Sequence, residues 1–193
     1  MRIGVLALQG SFAEHAEALR RLAAEPVLVR TPAQLEGIAG LIIPGGESTT
    51  IGKLLVLSGL LEAVRGRIAQ GMPVYGTCAG MILLAKDIGG NDQPLLGVMD
   101  IRVRRNAFGR QRESFEETLP IPALGAGDFR CMFIRAPQIE ETHGGVTVLA
   151  ALPDGRPIAA EQGKILVSAF HPELTDDPRM HLHFLAMIEE RTA

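Results

Sequence analysis

Pro73-Val74-Tyr75-Gly76-Thr77-Cys78-Ala79-Gly80-Met81-Ile82-Leu83-Leu84-Ala85 is the stretch that decides the fold. The apolar residues up to Tyr75 read as a buried strand, Gly76 to Gly80 as a sharp turn, and the apolar run from Met81 as a helix. A G-x-C-x-G turn between strand and helix is the thiol counterpart of the G-x-S-x-G nucleophile elbow. Small flanking residues let the backbone turn tightly and leave the sulfur uncovered. The helix starting just after Cys78 favours a thiolate through its free N–H groups and dipole. A cysteine without such a setting is usually a buried packing residue. Cys131, within Arg130-Cys131-Met132-Phe133-Ile134, reads that way.

Working outward, the first half of the chain alternates short apolar runs with helical patterns. Ile3–Leu8, Val27–Val29, Leu41–Ile43 and Val74–Thr77 are predicted strands; Phe12–Ala24, Thr50–Leu57 and Leu60–Ala69 are predicted helices. Ser11 is a candidate N-cap, with Glu14 three residues later completing a capping box. Such alternation implies a mostly parallel sheet covered on both faces by helices. In the second half, Ile101–Arg104, Glu116–Leu119, Val146–Ala151, Pro157–Glu161 and Ile165–Phe170 read as strands joined by turns such as Asp154-Gly155 and Gln162-Gly163. They predict an antiparallel extension of the sheet. A last helix is expected over Pro178–Glu190. With no repeat or linker, residues 1–193 are expected to form a single α/β domain.

The 193 residues are 47% hydrophobic and 21% charged, with a net charge of −3, which describes a globular chain with ample core. No basic block points to nucleic acid, and no apolar run is long enough to span a membrane. The opening Met1–Leu6 lacks the cleavage-site pattern of a secretory signal, so a cytoplasmic location is expected, and a disulfide between the two cysteines is not.

A thiolate needs a proton acceptor and a group to orient it. Of the five histidines, His171 stands out, because it follows the strand ending at Phe170. Ligands of parallel sheets sit beyond the carboxyl ends of the strands, and both Cys78 and His171 occupy such ends. Glu173, two residues on and stiffened by Pro172, can hold the imidazole in one tautomer and stabilise the imidazolium. Donors for a developing oxyanion are offered by the Ala79 N–H and by Gly45 and Gly46 in Pro44-Gly45-Gly46-Glu47-Ser48, where two glycines free the backbone to aim its N–H groups. That run lacks the Lys-Ser/Thr ending of a phosphate loop. No C-x-x-C or H-E-x-x-H pattern is present, and His181 and His183, two apart on a predicted helix, diverge, so no metal is expected. No cofactor is expected either.

Together these residues resemble the triad class of glutamine amidotransferases, and within it the glutaminase subunits of pyridoxal 5′-phosphate synthases. The resemblance is carried by Leu8-Gln9-Gly10 with Glu14-His15, by Leu41–Thr50, by Gly76–Gly80, by Arg105–Gln111 with Ser114–Glu116, by Phe133–Pro137 and by Phe170–Thr175. It implies a flavodoxin-like amidotransferase fold. It further implies hydrolysis of L-glutamine to glutamate and ammonia, with Cys78 as nucleophile, His171 as acid and base, and Glu173 as orienting carboxylate. Glutamine-binding roles fall by the same resemblance on Gly46, Glu47, Ser48, Arg105, Ile134 and Arg135. The implied partner is a synthase subunit that takes up the ammonia in making pyridoxal 5′-phosphate. Two alternatives stay open at this stage: a glutaminase subunit of another synthase, such as imidazole glycerol phosphate synthase, and a non-catalytic regulatory module of the same fold.

Overall fold

The computed structural model describes residues 1–90, 92–105 and 114–189. The strands β1 (Arg2–Leu6), β2 (Glu25–Val29), β3 (Gly40–Ile43) and β4 (Val74–Thr77) alternate with the helices α1 (Phe12–Arg21), α2 (Ser48–Leu57), α3 (Leu60–Ala69) and α4 (Ala79–Leu84). Then follow β5 (Ala85–Asp87), β6 (Met99–Arg104), β7 (Ser114–Pro120), β8 (Asp128–Ile134), β9 (Gln138–Thr142), β10 (Thr147–Ala151), β11 (Pro157–Gln162), β12 (Ile165–Ser168) and α5 (Arg179–Glu189).

Seven strands form the main sheet in the order β10-β11-β12-β4-β3-β1-β2. The segment β12-β4-β3-β1-β2 is parallel, and β11 and β10 extend it antiparallel on the β12 side. This is the α/β architecture expected, extension included. The strands β3, β4 and β12 are buried at every residue, which explains why they read as continuous apolar runs rather than alternating ones.

Residues on β4 show how both faces are covered. Successive strand residues point to opposite faces. A Cβ on Gly76 would collide with the backbone of Gly80 and with Leu84, so α4 lies on that face. The neighbouring Tyr75 packs its ring against Phe184 of α5, with centroids 5.8 Å apart, so α5 lies on the other. The Tyr75 hydroxyl, wholly buried, hydrogen-bonds Ser168 Oγ on β12 at 2.9 Å; left unpaired it would cost about 1–3 kcal/mol. His15 on α1 bonds both His181 of α5 and Thr77 of β4, which puts α1 on the α5 face. Among the described residues, no helix is long and apolar enough to cross a membrane.

Several expectations are refined. The helix predicted over Phe12–Ala24 stops at Arg21, where Ala23 takes a left-handed φ of 57°. Ser11 does precede α1, but its side chain makes no cap hydrogen bond; its hydroxyl is committed to Glu173 instead. The cap of α2 is Glu47, whose carboxylate accepts from the Thr49 and Thr50 N–H groups. Two second-half strands do not join the main sheet. Instead β6 pairs with β5 and β9 in a three-stranded sheet, and β7 with β8 in a hairpin. Glu190, the last residue of the predicted final helix, lies outside the described residues, as does most of the Arg105–Gln111 segment.

Candidate active site

The turn after β4 is an elbow in the strict conformational sense. Cys78 adopts φ 48° and ψ −102°, a strained combination for any residue with a Cβ. It is held there from both sides. Its N–H donates to Ser168 O at 2.8 Å, tying the elbow to the end of β12, and α4 begins at the next residue. The flanking glycines are steric necessities. A Cβ on Gly80 would overlap the Ile43 carbonyl oxygen of β3, and one on Gly76 would run into the helix itself. The G-x-C-x-G pattern is therefore set by how closely α4 must lie against β3 and β4.

His171 reaches the elbow from the end of β12. Its backbone N–H donates to Met132 O of β8 at 2.8 Å, fixing the ring's origin. On one side the ring faces Cys78 across the cleft, where the thiol donates to Ile134 O at 3.9 Å. On the other, Nδ1 donates to Glu173 Oε1 at 2.8 Å, the direction an ionised carboxylate requires. Burial pushes His171 down, but its interactions with Cys78 and Glu173 outweigh it and raise its pKa to about 10. Burial likewise pushes Glu173 up, and the two imidazoles beside it and the Ser11 hydroxyl overturn that, leaving it at about 2. The pair is thus built to hold a proton on the imidazole and none on the carboxylate. The side chain of Glu173 is shut off from solvent behind His171, so it lines no part of the cleft.

The segment Pro44–Ser48, to which the oxyanion donors were assigned, leaves β3 and passes beside this pair. A Cβ on Gly45 would strike His171 Cε1 and approach Cys78 Cβ to 3.4 Å, so only glycine lets the segment come this close. The Gly45 carbonyl accepts the Ser11 N–H at 3.1 Å. Among the described residues no peptide is cis, so the N–H of Gly46 points the opposite way, away from Ser11. Gly10 sits against that carbonyl with φ 99°. Gln9 Oε1 accepts the Glu47 N–H at 2.8 Å and closes the loop from the far side.

A cleft of about 340 Å³ opens over the sulfur, lined by Cys78 and His171 together with Gln9, Gly46, Glu47, Ser48, Ile82, Arg105, Ile134 and Arg135. Every residue to which a glutamine-binding role was assigned is therefore brought to one place. Arg105 is held by Glu47 Oε1 at 3.1 Å, Thr49 Oγ1 at 3.1 Å and Gln93 Oε1 at 2.9 Å. Burial works against the charge of Glu47, but its hydrogen bonds from Thr50 and Thr49 keep it low, at about 2. Arg135 takes a left-handed φ of 43° at the end of β8 and, among the described residues, meets no carboxylate. Among the described residues no cluster of side chains suited to a metal ion is found.

Sequence reasoning missed Gln9, Ser11 and His15 as parts of this site. The Ser11 hydroxyl donates to Glu173 Oε1 at 2.6 Å, across 162 residues of chain. The signal available was position: Gln9 and Ser11 lie just past the carboxyl end of β1, the same rim that singled out Cys78 and His171, and His15 lies in the first turns of the helix that follows. Cys131, by contrast, is wholly buried on β8, and burial foremost pushes its thiol up to about 12. An electrophilic glutamine analogue is expected to modify Cys78 and leave Cys131 untouched, as peptide mass mapping would show; preferential labelling of Cys131 would contradict its burial.

Comparison with known proteins agrees with this geometry. The model of the SNO glutamine amidotransferase family matches residues 5–190. The chain is 58% identical to a pyridoxal 5′-phosphate synthase subunit PdxT of Moorella thermoacetica, over 97% of this chain and 100% of that one. It is 55% identical to the subunit of the same name from Geobacillus kaustophilus, over 98% of this chain and 96% of that one. A solved glutamine amidotransferase superposes with a TM-score of 0.92 at 53% identity, covering 97% of this chain and 98% of its own. A putative GMP synthase protein from Thermoplasma acidophilum shares the fold alone, at 17% identity and a TM-score of 0.70, over 100% of this chain and 96% of its own. An elbow cysteine, an imidazole and a carboxylate converging under a glycine-rich loop, in a chain so closely related over nearly its whole length, leave one assignment: this protein belongs to the SNO glutamine amidotransferase family.

Proposed function

We propose that this chain is the glutaminase subunit of a pyridoxal 5′-phosphate synthase, acting as one amidotransferase domain that hydrolyses L-glutamine and passes the ammonia to a synthase subunit. The reading rests on one observation above the others, the meeting of Cys78, His171 and the Gly45–Gly46 segment at the floor of a cleft sized for a small amino acid. Cys78 Sγ attacks the side-chain amide carbon of glutamine. The oxyanion that forms is met by the N–H groups of Gly46 and Ala79. His171 gives its proton to the departing ammonia, leaving a γ-glutamyl thioester on Cys78. Water then adds to the thioester, His171 takes up its proton, and glutamate leaves. Glu173 keeps the imidazole oriented and stabilises its charged form throughout.

The head of the substrate is a zwitterion, and Glu47 beside Arg105 offers a complementary pair of charges. The ammonium faces Glu47 and the carboxylate faces Arg105, in the geometry that favours arginine for planar carboxylates. Arg135 supplies a second cation at the mouth of the cleft. This charge pattern selects a free amino acid over a peptide-bound glutamine, whose termini carry no charge.

Among the described residues the Gly45–Gly46 peptide is held by a single backbone hydrogen bond, between two residues with the widest conformational freedom. Docking of the synthase is what keeps this peptide oriented and its N–H on the oxyanion. Glutamate formation from glutamine is therefore expected to be slow with this chain alone and to rise steeply when the synthase is added, with the ammonia consumed internally rather than released to solvent. Equal rates with and without the synthase would refute the coupling.

A further inference from the structure

Behind Glu173, on the face of the sheet that carries α1 and α5, two histidines share a hydrogen bond that the chemistry at the cleft does not use. His15 and His181 are both buried, their Nδ1 and Nε2 atoms 3.0 Å apart across 166 residues of chain. His15 Nε2 stands 3.1 Å from Thr77 Oγ1 and 3.3 Å from Glu173 Oε2. Among the described residues that carboxylate oxygen has no well-formed hydrogen bond, the 3.3 Å contact with His15 included. Its twin, Oε1, is held twice, by His171 and by Ser11.

We infer that His15 and His181 are positioning residues for glutamine hydrolysis: His181 donates from Nε2 to His15 Nδ1 and so fixes the tautomer in which His15 aims its Nε2–H at the free oxygen of Glu173. The alternative tautomer fails on the same distances. A proton on His15 Nδ1 would turn the lone pair of Nε2 toward a carboxylate oxygen, in a space closed to water, and would leave that oxygen with no donor at all. With the proton on Nε2, the N–H bonds Thr77 Oγ1 and turns its positive end toward Glu173 Oε2, 3.3 Å away. Oε1 is then held by two hydrogen bonds and Oε2 by the attraction of the His15 N–H dipole, which together restrain Glu173 against rotating away from His171.

The choice of two imidazoles has a physical reason. Burial above all drives His15 down, and His181 as far as about 3, so both rings are neutral. They supply a donor without supplying a charge. A lysine or arginine in this place would neutralise Glu173 and weaken its hold on the His171 imidazolium. The rings are also rigidly placed, with the Tyr75 ring edge-on to His181 at 6.4 Å between centroids.

This inference rests on the glutaminase reading, and the test separates the two. Steady-state glutamine hydrolysis is measured for the chain assembled with its synthase. A wild-type assembly that forms no glutamate from glutamine overturns the functional reading itself. With an active wild type, His15→Leu is expected to lower kcat by about tenfold to a hundredfold, the range found when an outer hydrogen-bonding partner of an active-site group is lost, while KM stays within about twofold. His15→Gln, which returns an N–H near the same place, recovers most of the lost kcat. His181→Phe produces the same loss confined to kcat, and His181→Gln restores it. Wild-type kcat in both the leucine and phenylalanine variants overturns the proposal. So does an equal loss in the leucine and glutamine variants, since that would make the role one of shape alone. Should His15→Leu fail to fold, the two variants at 181 decide the matter.

Discussion

Replacing Cys78 by alanine is expected to lower glutamine hydrolysis in the assembled enzyme by on the order of 10⁵- to 10⁶-fold, the scale at which a triad loses its nucleophile. Cys131→Ala, in contrast, is expected to leave kcat and KM within about twofold, because that thiol is buried on β8 away from the cleft. The elbow adds a second test that has nothing to do with turnover. Cys78 is held at φ 48°, and alanine inherits that strain, whereas glycine does not. Cys78→Gly is therefore expected to be as inactive as Cys78→Ala yet more stable, by about 1 kcal/mol, the low end of what such backbone strain costs. Thermal melting of the two variants measures the difference. Equal stability would mean that the elbow is not strained, and near-wild-type activity in the alanine variant would dismiss the thiol as nucleophile.

Some of this site was readable in the chain because its cause is local. The turn at Gly76–Gly80 is legible since a tight strand-to-helix connection needs small residues at fixed offsets, and the collisions that a Cβ would make at Gly76 and Gly80 are with the elements on either side. The bounds of α3 and β4 were also legible, because Gly59, left-handed at 72°, opens the helix and Gly71, at 89°, closes it. His171 and Glu173 could be named because two residues on one turn keep their relationship in any fold. What was illegible has long-range causes. Ser11 satisfies every local rule for a helix cap, and nothing near it announces Glu173. The His15–His181 pair joins two helices from opposite ends of the chain, each of which reads as merely amphipathic. The separate sheet β5-β6-β9 escaped for a similar reason: β5 is three residues long and β9 buries only Ile139, so the choice of partner is made by tertiary packing rather than by pattern. Arg105 illustrates the intermediate case. The family resemblance placed it at the substrate, but only the coordinates show it anchored to Glu47, Thr49 and Gln93, which converts a flexible surface charge into one of fixed direction.

The second large effect is expected outside the triad, at Gly10. This residue has φ 99°, and a Cβ there would overlap the Gly45 carbonyl oxygen. Alanine at position 10 therefore does two things: it incurs the penalty of a left-handed backbone, about 1–2 kcal/mol, and it drives the Gly45 carbonyl off the Ser11 N–H. The second consequence reaches the chemistry. A trans peptide turns as one plane, so displacing the carbonyl of Gly45 swings the N–H of Gly46 out of the position it must hold for the oxyanion. Losing one such donor costs about 10²- to 10³-fold in kcat, and Gly10→Ala is expected to fall in that range. The atoms nearest a Cβ at position 10 belong to Gly45 and Gly46 rather than to the triad, so alkylation of Cys78 should proceed at the wild-type rate even as turnover collapses. Gly71→Ala provides the control for strain alone. That glycine has φ 89° with nothing within 4 Å of its would-be Cβ, so it bears the same conformational cost without moving the oxyanion segment. It should lose stability and keep its activity. Wild-type turnover in Gly10→Ala would show that the Gly45–Gly46 peptide does not serve the oxyanion. A parallel loss of Cys78 alkylation would show that the substitution had disturbed the triad instead. The separation of the two readouts is what ties the glycine at the end of β1 to the hydrogen bonds that a tetrahedral intermediate needs, and it makes Ser11 the hinge between them, its N–H on the oxyanion segment and its hydroxyl on the triad carboxylate.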